Sequence, residues 1–205
     1  MVQGDIAPGQ APVDTADFFR LFVASGPEYI PALFAGWHER FATGCFGRRG
    51  NVLSSEHTLF VKVDGRNAGM VLAYDWRTKK RQAIKSSFLT IWYMRLGFLL
   101  RLGPLRWSDT VLSKVEDGTF YISNIAVYSE FRNRGLGARL LTLVEEKAGE
   151  SGAARLDVDA ETDNTGAIRF YEAFGMRAEG KPKRTVVAGK HFEFVRLTKE
   201  VFPVA

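Results

Sequence analysis

The chain has 205 residues, 46% of them apolar and 25% charged, with 16 Phe and 4 Trp. That length suits one domain, and that composition can bury a sizeable core, so a disordered chain, a collagen-like repeat and a pair of large domains are excluded. The net charge of +5 is uneven: no acid stands between Asp75 and Asp109, where Arg77, Lys79, Lys80, Arg81, Lys85, Arg95, Arg101 and Arg106 contribute eight positive charges, and the remainder of the chain is net acidic.

Residues 1–13, rich in Gly, Pro and Gln, lack the basic region and apolar core of a signal peptide and read as a loose leader. From Asp14, the cluster Phe18, Phe19, Leu21, Phe22 and Val23 predicts a short helix capped by Asp14 or Thr15 and ended by Gly26-Pro27. Ile30, Leu33, Phe34, Trp37 and Phe41 recur at spacings of three and four and predict a second helix. Alternation at Leu59, Val61 and Val63, the Asp64-Gly65 turn and the run from Met70 to Trp76 predict an antiparallel hairpin.

Residues 77–118 then interrupt the strand pattern. Ile84, Phe88, Ile91, Trp92, Leu96 and Leu99 predict a helix stopping before Gly103-Pro104. No run reaches the roughly 18 apolar residues of a membrane span, because Arg95 and Arg101 interrupt the most apolar stretch, and a reduced, cytoplasmic setting is expected. The single cysteine, Cys45, permits no internal disulfide. His38, His57 and His191 have no metal-ligand spacing, so no metal is expected.

Thr119 to Val127 is the most strand-like stretch, dense in β-branched and aromatic residues. It leads into Arg132-Asn133-Arg134-Gly135-Leu136-Gly137-Ala138, followed by a helical stripe of Leu136, Leu140, Leu141, Val144 and Ala148. A strand at 155–160, a helix marked by Ala167, Phe170, Tyr171 and Phe174 with Asn164 or Thr165 at its cap, and strands near 176–180 and 190–197 complete the chain.

A strand entering a glycine turn and then a helix presents unpaired backbone N–H groups and a positive dipole end, which suits an anion. Gly135 and Gly137 leave room for a pyrophosphate, and Arg132 and Arg134 add charge beside it. A Walker loop needs Gly-Lys-Ser/Thr where Ala138 and Arg139 stand after Gly137. A dinucleotide fingerprint needs a third glycine where Leu140 stands.

The run resembles the Arg/Gln-x-x-Gly-x-Gly/Ala motif of the GNAT superfamily of N-acetyltransferases, preceded at the family's distance by Ile125, Ala126 and Val127. Asn164 to Met176, reading NTGAIRFYEAFGM, is similar to the family's second signature, Asn-x-x-Ala-x-x-x-Tyr-Glu-x-x-Gly-Phe. The match covers about Thr119 to Gly180.

The resemblance implies one α/β (α+β) domain: a central mixed, mostly antiparallel sheet flanked by helices, with the 77–118 segment inserted between the third and fourth strands and a 119–180 acetyl-CoA-binding core. It implies acetyl-CoA as cosubstrate, its pyrophosphate held by Arg132, Asn133, Arg134, Gly135, Leu136, Gly137 and Ala138. Ile125, Ala126 and Val127 would pair with the pantetheine arm, with the Val127 N–H near the thioester carbonyl, and Asn164 would hold the arm. Tyr171 would protonate the leaving thiolate; its alternative is an ordinary core aromatic. The carboxylate that many relatives carry on the preceding strand is absent, since Tyr121, Ser123 and Asn124 stand there. Asp159, twelve residues before Tyr171 as in protein N-terminal-alanine acetyltransferases, is the candidate base, with a solvated strand end as its alternative and that of Asp157 and Glu161.

The acceptor is then a small-molecule amine or a protein N-terminus. The rival is a non-catalytic CoA-binding or anionic-surface-docking protein on the same fold. The basic insert reads first as a helix packed on the domain or at a homodimer interface, next as a lid over the acceptor pocket, and last as a nucleic-acid or membrane-surface contact.

Overall fold

A strand lies in the segment whose composition suggests a loose leader. In the computed structural model, which describes residues 4–94, 96–112 and 114–202 without the side chains of 96–101, β1 (Asp5–Pro8) pairs antiparallel with β2 (Thr58–Val63), placing Ile6 opposite Val61. The glycines that suggest looseness are what let it dock. A Cβ on Gly4 would stand 2.9 Å from Val61 Cγ2, and one on Gly9 would stand 3.2 Å from the Phe46 and Phe60 rings. Pro8 is tolerated because β1 is the edge of the sheet.

β2 turns into β3 (Arg66–Asp75) through Asp64 and Gly65, both at positive φ, as a tight hairpin requires. Two further antiparallel strands, β6 (Arg177–Val187) and β7 (Lys190–Glu200), close the chain, with β6 running well past the predicted end near Gly180. With β4 (Thr119–Val127) and β5 (Arg155–Glu161) they form one seven-stranded sheet of order β1-β2-β3-β4-β5-β7-β6. All pairings are antiparallel except β4 with β5, which gives the mixed, mostly antiparallel sheet that was expected.

Alternation along the strands supplies both faces with apolar side chains. Phe60, Met70 and Leu72 pack with Phe18, Leu21 and Phe46 of α1 (Thr15–Ala24) and α3 (His38–Phe46). Val61, Val71, Ile122 and Leu156 pack with Leu140, Leu141 and Val144 of α6 (Leu136–Glu150). The single helix expected from Ile30 to Phe41 is two: α2 (Tyr29–Phe34) and α3, separated by Ala35 at φ 48°, whose carbonyl holds His38 Nδ1 at 2.5 Å.

The insert comprises α4 (Trp76–Met94), α5 (Leu96–Trp107) and a π-helical turn at Ser108–Leu112. The predicted stop at Gly103-Pro104 is absent. Leu105 and Trp107 pack on the core, with Trp107 6.1 Å from the Phe194 ring centroid, and this tertiary contact carries the helix past its proline. Arg95 and the side chains of Leu96, Leu99 and Arg101 lie outside the described residues. Several of the other cations are engaged within the molecule: Lys79 with Asp109 at 2.7 Å, Lys80 with Asp117 at 2.5 Å, Lys85 Nζ on the Arg49 carbonyl at 2.5 Å, and Arg77 on the Ser151 carbonyl at 2.9 Å. Among the described residues no helix is long and apolar enough to cross a membrane.

Candidate active site

The site begins where the sheet comes apart. β4 and β5 pair only from Thr119–Ile122 to Arg155–Val158. Against β3, Leu72 faces Asn124 while Ala73 faces Ile122, so Ser123 is an extra residue that bends β4 away from β5. From Ser123 to Val127 the edge of β4 turned towards β5 carries main-chain groups without a strand partner, which a ligand can take up. Ile125, Ala126 and Val127 lie on this stretch and hold β3 on the other edge, opposite Val71, Met70 and Gly69.

Beyond β4 the chain climbs through Arg132 to Gly135 into α6. Asn133 and Gly135 are at positive φ (59° and 78°), and the first intrahelical bond runs from the Arg139 N–H to the Gly135 carbonyl at 3.1 Å. The amides of Leu136, Gly137 and Ala138 therefore point out of the open helix end. Arg132 Nε donates to the Val127 carbonyl at 3.1 Å and Arg134 Nη2 to the Glu130 carbonyl at 2.8 Å, so both exposed guanidiniums flank that end. The two glycines differ. A Cβ on Gly135 would meet nothing within 4 Å, whereas one on Gly137 would stand 3.0 Å from Phe170 Cζ, so Gly137 serves the contact between α6 and α7 (Thr165–Ala173).

Asn164 caps α7, its Oδ1 accepting the Ala167 N–H at 3.1 Å. Tyr171, one face along the same helix, is 6% exposed and packs with Leu141 and Met176 in the core on that side of the sheet. Burial alone raises its phenol pKa, so the proton stays on at neutral pH.

Asp159 and Glu161 are two residues apart on β5 and share a face, yet their surroundings are opposite. Asp159, its side chain 2% exposed, accepts from Arg196 Nη2 at 2.5 Å, Lys183 Nζ at 3.1 Å and Tyr121 Oη at 3.1 Å, so its charge and both oxygens are engaged. Asp157 is held likewise by Arg155 at 2.9 Å and by Thr198 at 2.7 Å. Neither is a solvated strand end. Glu161 is in no ion pair among the described residues, and burial, with the Asp163 and Glu28 carboxylates adding to it, pushes it up to about 7.

A cavity of about 420 Å³ joins these groups. Its wall includes Ser123 and Asn124 of β4, Asp159, Ala160 and Glu161 of β5, and Asn164, Ala167 and Tyr171 of α7. Across the sheet it continues to Tyr29, Ile30 and Leu33 of α2 and to Lys79, Ser87 and Leu105 of the insert. The gap between β4 and β5 is thus open to both faces of the sheet. Cavity and helix end together bring Tyr171, Asn164, the β4 edge and the α6 amides to one side of this gap. One feature escaped the sequence reading: the carboxyl of Glu161, in no ion pair among the described residues. Glu161 had one signal, its place two residues beyond Asp159 at the end of a strand.

The family model for acetyltransferases of the GNAT family matches residues 20–176. Over 106 residues the chain is 29% identical to GCN5-related N-acetyltransferase 4, chloroplastic, of Arabidopsis thaliana, a match that spans 52% of this chain and only about a third (34%) of that protein. An N-acetyltransferase from Staphylococcus aureus superposes with a TM-score of 0.66 at 16% identity, over 95% of this chain and 100% of the other. A GNAT family acetyltransferase from Elizabethkingia anophelis with acetyl-CoA bound superposes with a TM-score of 0.53 at 18% identity, over 97% and 98%. With a family match across most of its length and the fold to go with it, the chain belongs to the GNAT acetyltransferase family.

Proposed function

We propose that the chain is an acetyl-CoA-dependent N-acetyltransferase that passes the acetyl group directly to a primary amine. The observation that carries this reading is the cavity through the gap between β4 and β5, which has in its wall a strand edge without a strand partner, a protonated phenol and a carboxyl in no ion pair among the described residues. The non-catalytic alternative gains nothing from the comparisons, and the site has both proton-transfer groups that catalysis needs.

The residues fit acetyl-CoA. A fifteen-residue helix opens on unpaired amides between two arginines, which suits a pyrophosphate. The strand edge from Ser123 to Val127 suits an amide-bearing pantetheine arm, and Asn164, in the cavity wall, would hold that arm. When bound, acetyl-CoA supplies the thioester. The chain supplies a backbone N–H of the β4 edge to the carbonyl oxygen as charge grows there.

A carboxylate with its pKa near the working pH is a good base, and the base role expected of Asp159 falls to Glu161, because Asp159 is committed to Arg196, Lys183 and Tyr121. Glu161 takes one proton from the acceptor ammonium. The amine nitrogen forms its bond to the acetyl carbon, the carbon–sulfur bond breaks, and Tyr171 gives its proton to the departing sulfur. The surplus proton on the acylated nitrogen passes to the Tyr171 phenolate, which leaves a neutral amide and restores the phenol, and Glu161 gives its proton to solvent.

Release of free CoA thiol from acetyl-CoA in the presence of an amine panel tests the reading. Amine-dependent release with acetylated product by mass spectrometry is expected; no release with any amine, and no rise in melting temperature with millimolar acetyl-CoA, would overturn it.

A further inference from the structure

We infer, resting on the transferase reading above, that the acceptor is a small monoamine whose body is apolar and about the size of one ring. The lining of the cavity on the α2 side of the sheet is mainly aliphatic and aromatic, with Phe22, Ile30, Leu33, Phe41 and, from the insert, Leu105 and Leu112, interrupted by the small hydroxyls of Ser86, Ser87, Thr90 and Ser108. At about 420 Å³ it lies near the small end of the roughly 300–1,000 Å³ usual for ligand sites, and the thioester end must share it. That leaves room for a compact body and none for several sugar rings.

Charge limits the number of ammonium groups. Among the described residues, three carboxylates line the cavity: Asp109 is paired with Lys79, Asp159 is paired with Arg196 and Lys183, and Glu161 is in no ion pair. One ammonium therefore finds a partner. A second, carried inward on a polyamine, is buried without one among apolar walls, which is strongly unfavourable. The exposed Arg106, also in the wall, repels it further. Glu161 also lines an outer cavity with Asp163, where Glu28 is paired with Lys190 and Glu193 with Arg184. An acceptor lying outward there forfeits the apolar contacts.

The test is a thiol-release panel with acetyl-CoA and phenethylamine, isopentylamine, spermidine, kanamycin and a hexapeptide beginning with alanine. The apolar monoamines are expected to exceed each of the others at least tenfold in kcat/KM. Equal or better turnover of spermidine, kanamycin or the peptide overturns the acceptor class and leaves the transferase reading intact. No release with any amine overturns both. Ser87→Trp, at an exposed helical position of the cavity wall, is expected to raise KM for phenethylamine at least tenfold while KM for acetyl-CoA stays within twofold. An unchanged amine KM places the body elsewhere and overturns the inference.

Discussion

Arg196 holds Asp159 at 2.5 Å with the same Nη2 that donates to the Leu112 carbonyl at 2.6 Å, so one guanidinium ties the centre of the sheet to the end of the insert. Lys183 repeats the arrangement, reaching both Asp159 and the Leu112 carbonyl. The carboxylate is the counter-charge for a clamp that fixes the insert wall over the cavity.

Asp159→Asn therefore acts on stability before chemistry. It removes the nearer of the two counter-charges of Arg196, 11% exposed on its side chain, and leaves only Asp157 at 3.4 Å. Breaking such a pair costs about 3–5 kcal/mol, equivalent to a fall of about 10 °C in Tm. Thermal unfolding is expected to show that loss, while activity at 15 °C falls less than tenfold. A collapse of kcat with an unchanged Tm would return the base role to Asp159.

Glu161 sets the pH dependence. Its carboxyl is raised above its unfolded value, so the folded state favours the protonated form; the destabilisation it causes is absent below the ordinary carboxylate range and complete once pH passes about 7. The wild type should lose Tm relative to Glu161→Gln between pH 4.5 and pH 8, and the two should converge at pH 4. In kinetics, kcat/KM should rise through an apparent pKa near 7 in the wild type, and this limb should vanish in the variant. Scanning calorimetry and initial rates across that range decide both.

Tyr171→Phe keeps the ring that packs on Leu141 and Met176 and removes the proton. General-acid catalysis contributes about 10²- to 10⁴-fold, so kcat should fall by about a hundred or more with acetyl-CoA affinity within a factor of three. Titration calorimetry with acetyl-CoA and steady-state rates separate the two. Undiminished kcat would return Tyr171 to the core.

The two glycines of the proposed phosphate loop should respond differently. Gly137→Ala presses a methyl on the Phe170 ring at 3.0 Å and should lower the Tm of the free protein by a few degrees, a strain of about 1 kcal/mol. Gly135→Ala, open in space but at φ 78°, puts its methyl at the mouth of the helix end. It should lose most of the Tm gain that acetyl-CoA confers on the wild type. A thermal-shift series with and without acetyl-CoA reads both.

Local pattern carried much of this structure. Alternation and Asp64-Gly65 announce the hairpin, and the order of Arg132 to Gly137 and Asn164 to Met176 announces the site, because these are runs whose neighbours along the chain are also their neighbours in space. What stayed hidden depends on distant contacts. β1 is recognisable only from the Phe46 and Phe60 rings that require a glycine at position 9, and α5 passes Pro104 because Trp107 has Phe194 to pack on. Glu161 is buried partly by the α1–α2 link, where a Cβ on Gly26 would lie 3.7 Å from its Oε1, a proximity no spacing rule reveals.

The four residue pairs that join β4 to β5 divide the sheet into two antiparallel slabs, β1-β2-β3-β4 and β5-β7-β6, fastened along one short seam. A pantetheine arm lying along Ser123 to Val127 acts there as missing rungs of the ladder. Ligand occupancy thus becomes mechanical continuity of the sheet: amide protons of the outer half of β4 should exchange quickly in the free protein and slow down with acetyl-CoA, while those of β2 and β3 change little. On the proposed reading the chain would complete its own sheet with its cosubstrate and lose that bracing each time CoA departs.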